Sequence, residues 1–103
     1  MRINTSAVFT DAEDALILEN DKPVEVLTLL KRAILADRNP DGSPIAGDEK
    51  YNRFELYMKL RSAGSDTDFS TEEIQLLEKA VKVYPTLIAG QLIYLLHNKP
   101  VNT

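Results

Sequence analysis

The spacing of hydrophobic and polar residues changes several times along the chain. Residues 2–9 (Arg-Ile-Asn-Thr-Ser-Ala-Val-Phe) carry Thr, Val, Ile and Phe without a helical stripe, which suits a strand. A polar break follows, then Ala15-Leu16-Ile17-Leu18, a short apolar run suited to a second strand. Together they predict a β element over 2–18. A helical turn over 11–18 competes with it, because Ala, Glu and Leu favour helix. A lone hairpin is marginal in water, so it must rest on helices or pair with another chain.

Asn20-Asp21-Lys22-Pro23 breaks the pattern, and Pro suits a first helical turn. Val24, Val26, Leu27, Leu29, Leu30, Ala33, Ile34 and Leu35 then predict a helix over 23–36. It is apolar round most of its girth and so is expected to be the central element. Lys31, Arg32 and Arg38 near its end suit the negative pole of the helix dipole. Residues 37–47 hold two Pro, two Gly, Asn, Ser and two Asp, the composition of a loop.

Asp48 reads as the N-cap of a helix over 48–63. Tyr51, Phe54 and Met58 predict its core stripe, widened by Leu56 and Leu60; Lys50, Arg53, Glu55, Lys59 and Arg61 fall mostly on the other faces. Gly64 is placed to end it as a left-handed cap. Ser70-Thr71-Glu72-Glu73 matches a capping box, with Phe69 and Ile74 as a hydrophobic staple, opening a helix over 70–83. Tyr84-Pro85 interrupts it, since the residue before Pro avoids helix. A last helix is expected over 86–97, then a frayed tail over 98–103. The expected fold is mainly α (α+β): a four-helix compact domain with a short N-terminal β-hairpin or strand. No internal repeat is visible.

The length of 103 residues allows a single domain over 1–103. Its 44% apolar and 27% charged residues are the balance of a globular chain rather than a disordered one. The apolar runs fall short of the about 20 residues a membrane span needs. With no Cys there is no disulfide framework, thiol nucleophile or Cys-ligated metal. The N-terminus lacks the basic start and apolar run of a secretory signal, so a cytoplasmic location, in a host cell or a virion, is expected. The net charge of −4 disfavours nucleic acid as a partner. The charge is uneven: Lys31, Arg32, Arg38, Lys50, Arg53, Lys59 and Arg61 make the middle of the chain its basic part.

The sharpest motif is Asp37-x-Asn39-x-Asp41-Gly42 with Asp48 closing it, which has the spacing of an EF-hand Ca²⁺ loop. Against it, the closing residue is normally a bidentate Glu, Pro40 removes an amide within the ligand turn, and turns use Asp, Asn and Gly anyway. His97 is the single histidine and forms neither a triad nor a zinc site alone. Glu13-Asp14 and Glu72-Glu73 are sequence neighbours, which point in different directions and do not make acid–base pairs. No phosphate-binding Gly-rich loop or nucleophile elbow is present, so neither enzyme activity nor a cofactor is expected. Gly90, inside the last helix, suggests a close helix approach within the domain or across a dimer.

Three stretches, Arg-Phe-Glu-Leu-Tyr-Met-Lys-Leu at 53–60, Ser-Thr-Glu-Glu-Ile at 70–74 and Tyr-Pro-Thr-Leu-Ile-Ala-Gly-Gln-Leu at 84–92, share a pattern. Over about residues 22–96 the chain resembles small uncharacterised proteins of tailed bacteriophages and prophages. An Asp-Gly-Lys turn common near the N-terminus of that group is absent here. The resemblance implies an accessory or morphogenesis factor that binds a phage or host protein, or itself, and no cofactor. The expected contact residues are Val8 and Phe9, on the free edge of the β element, and Arg53, Tyr57 and Arg61 on the 48–63 helix. The alternative expectation is a small ion- or ligand-binding regulator using Asp37, Asn39, Asp41 and Asp48.

Overall fold

The computed structural model describes residues 9–13, 15–64 and 67–97. The order is β1 (Leu18–Glu19), β2 (Lys22–Pro23), α1 (Val26–Ile34), α2 (Gly47–Arg61), α3 (Thr71–Val81) and α4 (Thr86–Leu96). The fold is mainly α with a small antiparallel β-hairpin near the N-terminus, as its residue pattern predicts.

The hairpin is placed differently from the expectation. Residues 1–8, and Val8 with them, lie outside the described residues. Of the pairing expected between 2–9 and 15–18, the described part is one antiparallel bridge, Thr10 to Leu16. The Ile17 amide also donates to the Phe9 carbonyl at 2.9 Å. The two-stranded ladder comes next, with Leu18 opposite Pro23 and Glu19 opposite Lys22. Its turn is Asn20-Asp21, with φ of 53° and 64°. Both central residues are left-handed, as a tight I′ hairpin turn requires, and Asn and Asp are the non-glycine residues that tolerate it best. Pro23 therefore ends a strand instead of opening a helix.

α1 consequently starts at Val26, after Glu25 in extended conformation. It buries Val26, Leu29, Leu30, Ala33 and Ile34, a single stripe at helical spacing, and Leu35 beyond it is exposed. The helix is central, packing on both α2 and α3, while α4 packs on α3. Lys31 and Arg32 stand in its last turn as expected. Arg32 also makes a two-pronged bond to the Glu19 carboxylate at 2.9 and 2.6 Å, tying the hairpin to α1. That bond, chiefly, lowers the Glu19 pKa.

α3 follows the sequence expectation closely. The Ser70 hydroxyl accepts from the Glu73 amide at 3.1 Å, and the Glu73 carboxylate accepts from the Ser70 amide at 2.8 Å. The capping box is complete, and Phe69 and Ile74 are both buried in the core. The helix buries Ile74, Leu77, Ala80 and Val81. Pro85 is the N-cap of α4. The Tyr84 hydroxyl donates to the Leu29 carbonyl at 2.7 Å, fixing the α3–α4 turn against α1.

One core runs through the molecule, with Phe9, Leu30, Leu60, Phe69, Leu77, Leu92 and Leu96 essentially inaccessible. α4 holds the N-terminal segment through Gln91, which is buried. Its Oε1 accepts from the Thr10 amide at 3.1 Å, and its Nε2 donates to the Thr10 carbonyl at 2.8 Å. A side-chain amide here pairs with backbone much as a neighbouring strand would, so both groups are satisfied away from water. Gly90 is not a close-approach site within the domain: a Cβ there would meet no atom within 4 Å.

Candidate interaction surface

α2 is the element whose packing departs most from its sequence. It begins after Ala46, in extended conformation, so Asp48 lies in the first turn and not at the N-cap. There Asp48 and Glu49 still face the positive pole of the helix. At its end the Ser62 and Ala63 amides bond Lys59 and Leu60 carbonyls in a tightened last turn, and the Gly64 amide donates to the Thr67 hydroxyl at 2.8 Å.

The expected core stripe is on the outside. Tyr51, Phe54 and Met58 are 65%, 53% and 43% exposed, whereas Arg53, Leu56 and Leu60 are buried. At about 100° per residue the two rows lie roughly 160° apart, on nearly opposite faces. Only one can meet α1. The 56/60 row wins because two leucines and the half-buried Tyr57 pack into the core, and the Arg53 stem is buried beside Ile34 and Ile45.

This changes the standing of the expected contact residues. Arg53 is not a surface residue: its side chain is 4% exposed. Its Nε donates to Glu49 Oε2 at 3.2 Å. Its Nη2 lies at ion-pair distance, 3.1 Å, from the same oxygen, without the alignment of a hydrogen bond. Phe9 is fully buried and belongs to the core, not to a recruiting edge. Tyr57 is half-buried against the core, while Arg61 is exposed and lies over the Tyr57 ring at 6.0 Å. The structure thus leaves Arg61 accessible among the described candidates, and adds Tyr51, Phe54 and Met58.

The exposed row has charged edges. Lys50 and Arg61 fall along one side and Asp48 and Glu55 along the other, by the same angular reckoning. The Glu55 carboxylate, one turn from Tyr51, bonds its hydroxyl and raises its pKa. Phe54 and Tyr57 rings are 6.3 Å apart. Beside the row, Ile34, Leu35, Ile45 and Phe54 line a shallow hollow of about 210 Å³ that Lys50 and Asp37 also border. Leu35, 49% exposed, extends the apolar area.

On its inner side α2 is pinned to α3 at both ends. Glu49 Oε1 meets the Lys79 ammonium at 2.7 Å, and Lys59 meets Glu73 at 2.8 Å while lying 4.7 Å over the Phe69 ring. The Lys79 bond, chiefly, keeps the Glu49 carboxyl below its ordinary pKa. Burial pushes the Glu73 carboxyl up, but Lys59 and the Ser70 amide together outweigh it and the net direction is down. Between these pairs runs a cleft of about 580 Å³ lined by Asn52, Glu55, Leu56, Lys59, Glu72, Glu73 and Leu76. Its carboxylates are flanked by no histidine or hydroxyl nucleophile among the lining residues. His97 is elsewhere, paired with Glu78.

The 37–48 loop spends its polar groups on itself. Asp41 accepts from the Ser43 amide and hydroxyl at 2.9 and 2.6 Å, bonds that lower its pKa. Asn39 Nδ2 donates to Ser43 Oγ and the Pro44 carbonyl at 3.0 and 3.3 Å. Arg38, bridged to Pro44, donates to the Gly42 carbonyl at 3.1 Å, and Gly42 takes the positive φ of 87° the turn demands. Asp37, Asn39, Asp41 and Asp48 do not form a cage: among the described residues no three His, Asp or Glu side chains converge as a metal site. Nor is any described helix long and apolar enough to cross a membrane.

No protein-family model, curated protein or solved structure matches this chain.

Proposed function

We propose that this chain is a non-enzymatic protein-binding module whose docking surface is the outer face of α2. The observation that carries this reading is the row Tyr51, Phe54 and Met58, three large side chains held in water on a helix whose opposite face already serves the core. Scattered exposed apolar residues are ordinary, but two aromatics and a Met in one row, widened by Leu35, form a contiguous patch. Aromatic residues, Met and Arg are the types enriched at protein interfaces, and Arg61 completes that set. The setting we propose is an accessory or morphogenesis factor of a phage or prophage, acting in the host cytoplasm or the virion, on the strength of the sequence resemblance.

The test is loss of binding to an identified partner, recovered by crosslinking from a photoreactive residue at position 54. Phe54→Glu and Tyr51→Glu are expected to abolish that complex while circular dichroism stays unchanged. A complex that survives both substitutions places the docking surface elsewhere and overturns the reading.

A further inference from the structure

One buried charge in this fold lacks a full set of partners. Arg53 is buried, and of its nitrogens only Nε makes a hydrogen bond, to Glu49 Oε2. Nη1 and Nη2 are closed to water and have no hydrogen-bond partner. Glu49 is shared with the Lys79 ammonium, so one carboxylate answers two cations at bonding distance. A buried guanidinium is costly unless its charge and its N–H groups are both met. Arg53 also lines the hollow of about 210 Å³ between the end of α1 and the first turns of α2, whose apolar walls are Ile34, Leu35, Ile45 and Phe54. Lys50 borders the same hollow, exposed and in no ion pair among the described residues.

We propose that this hollow binds a monocarboxylate carried on a short apolar stem, the carboxylate against Arg53 and Lys50 and the stem against the apolar walls. A planar carboxylate accepts two parallel N–H bonds from a guanidinium, and it adds negative charge where Glu49 is divided between two cations. A doubly charged phosphoryl group fits worse. The negative pole of α1 opens at residues 34–36, and Asp37 borders the hollow without an ion pair to Arg53. Entry needs a side-chain rotation, because Nη1 and Nη2 are covered; Lys50 and Phe54 are the exposed lining side chains able to turn. The carboxylate can belong to a small free acid or to the last residue of a protein chain, and the chemistry of the site is the same for both. The site does not depend on the outer face of α2 being a docking surface, since a small acid alone can fill it.

The probe is N-acetyl-leucine, titrated into the full chain at neutral pH and constant ionic strength. Binding is read by NMR at the Arg53 Nε–H and at the Ile34 and Ile45 methyl groups. Saturating shifts at all three are expected, with a dissociation constant of about 1 mM, ordinary for so small a ligand. N-acetyl-leucinamide, similar in shape but uncharged, should bind about tenfold more weakly or worse. Arg53→Met should lose the binding while circular dichroism shows it folded. Lys50→Gln should weaken it about threefold and Asp37→Asn tighten it about threefold, by removing an attractive and a repulsive charge at exposed residues. These two variants test the site independently of the buried arginine. A peptide ending in the same leucine distinguishes the sources: binding about tenfold tighter or more assigns the site to a protein C-terminus, and anything less assigns it to a free acid. Four results would each overturn the proposal. No shift up to about 50 mM would mean that water alone serves the Arg53 N–H groups. Equal binding of the amide would mean an adventitious apolar additive only. Undiminished binding in folded Arg53→Met, or unchanged binding in both Lys50→Gln and Asp37→Asn, would remove the charges from recognition. Tighter binding of inorganic phosphate would make the ligand class wrong. None of these results bears on the crosslinking test of the outer face of α2, so the two readings fail separately.

Discussion

α3 and α2 both carry an apolar row at helical spacing, and the two rows behave differently in the fold. α3 has one apolar row, Ile74, Leu77, Ala80 and Val81, with a capping box at its head, and it buries that row. α2 has two apolar rows on nearly opposite faces and buries the one that carries an arginine. Spacing identifies a helix and its faces; it ranks the faces only when one is clearly more apolar. Where both qualify, the choice goes to the face whose shape fits the neighbouring helices, and the losing face stays in water as a patch.

The contrast is open to direct attack. The largest effect is expected from the inner face of α2: Leu60→Ala should cost about 3 kcal/mol in a urea titration, the usual cost of a cavity at a fully buried leucine. If instead Phe54→Ala costs that much, the two faces have been assigned the wrong way round. Arg53→Met should stabilise by about 1 kcal/mol, because a guanidinium with Nη1 and Nη2 lacking hydrogen-bond partners is replaced by an apolar side chain of similar reach. Glu49 keeps Lys79 in that variant, so no carboxylate is orphaned. Ser70→Ala should cost about 1 kcal/mol, the usual loss on removing an N-cap, and a smaller loss would mean that the box contributes less to α3 than its geometry indicates.

Acid should act through the α2–α3 pairs. Glu49 and Glu73 both have lowered pKa values in the fold, so their contribution is present above the ordinary Glu value of about 4.3 and is lost as pH falls through their lower folded values. Thermal melts between pH 5 and 2 are expected to show that loss, reduced in Lys59→Met. The smallest effect belongs to the outer face: Phe54→Ser and Tyr51→Ser should change stability by no more than about 0.5 kcal/mol while removing partner binding.

Much of the candidate surface was concealed by local ambiguity. Tyr51, Phe54 and Met58 satisfied the core template, so nothing in their spacing marked them as external. Arg53 has the composition of an external residue because arginine usually is one, yet its stem is buried beside Ile34 and Ile45 and its Nε reaches Glu49. The hairpin lies elsewhere than its pattern suggests for a related reason: Asn20-Asp21 suits a break before a helix, but two residues that tolerate positive φ between short extended pairs also make a I′ turn. Gln91, a polar residue in an apolar helix, was the one available signal that a backbone segment would lie against α4.

Residue identity alone settled what short-range physics controls. The four helices, the Ser70 capping box, the Pro85 break and the turn-rich 37–47 segment follow from propensity, caps and backbone stereochemistry, which act within a few residues. Which side of α2 faces inward, where Arg53 finds its counter-ion and what Gln91 clamps were decided by tertiary packing. Those outcomes depend on the shapes that distant segments present to one another, and a pattern read along one helix carries no information about them.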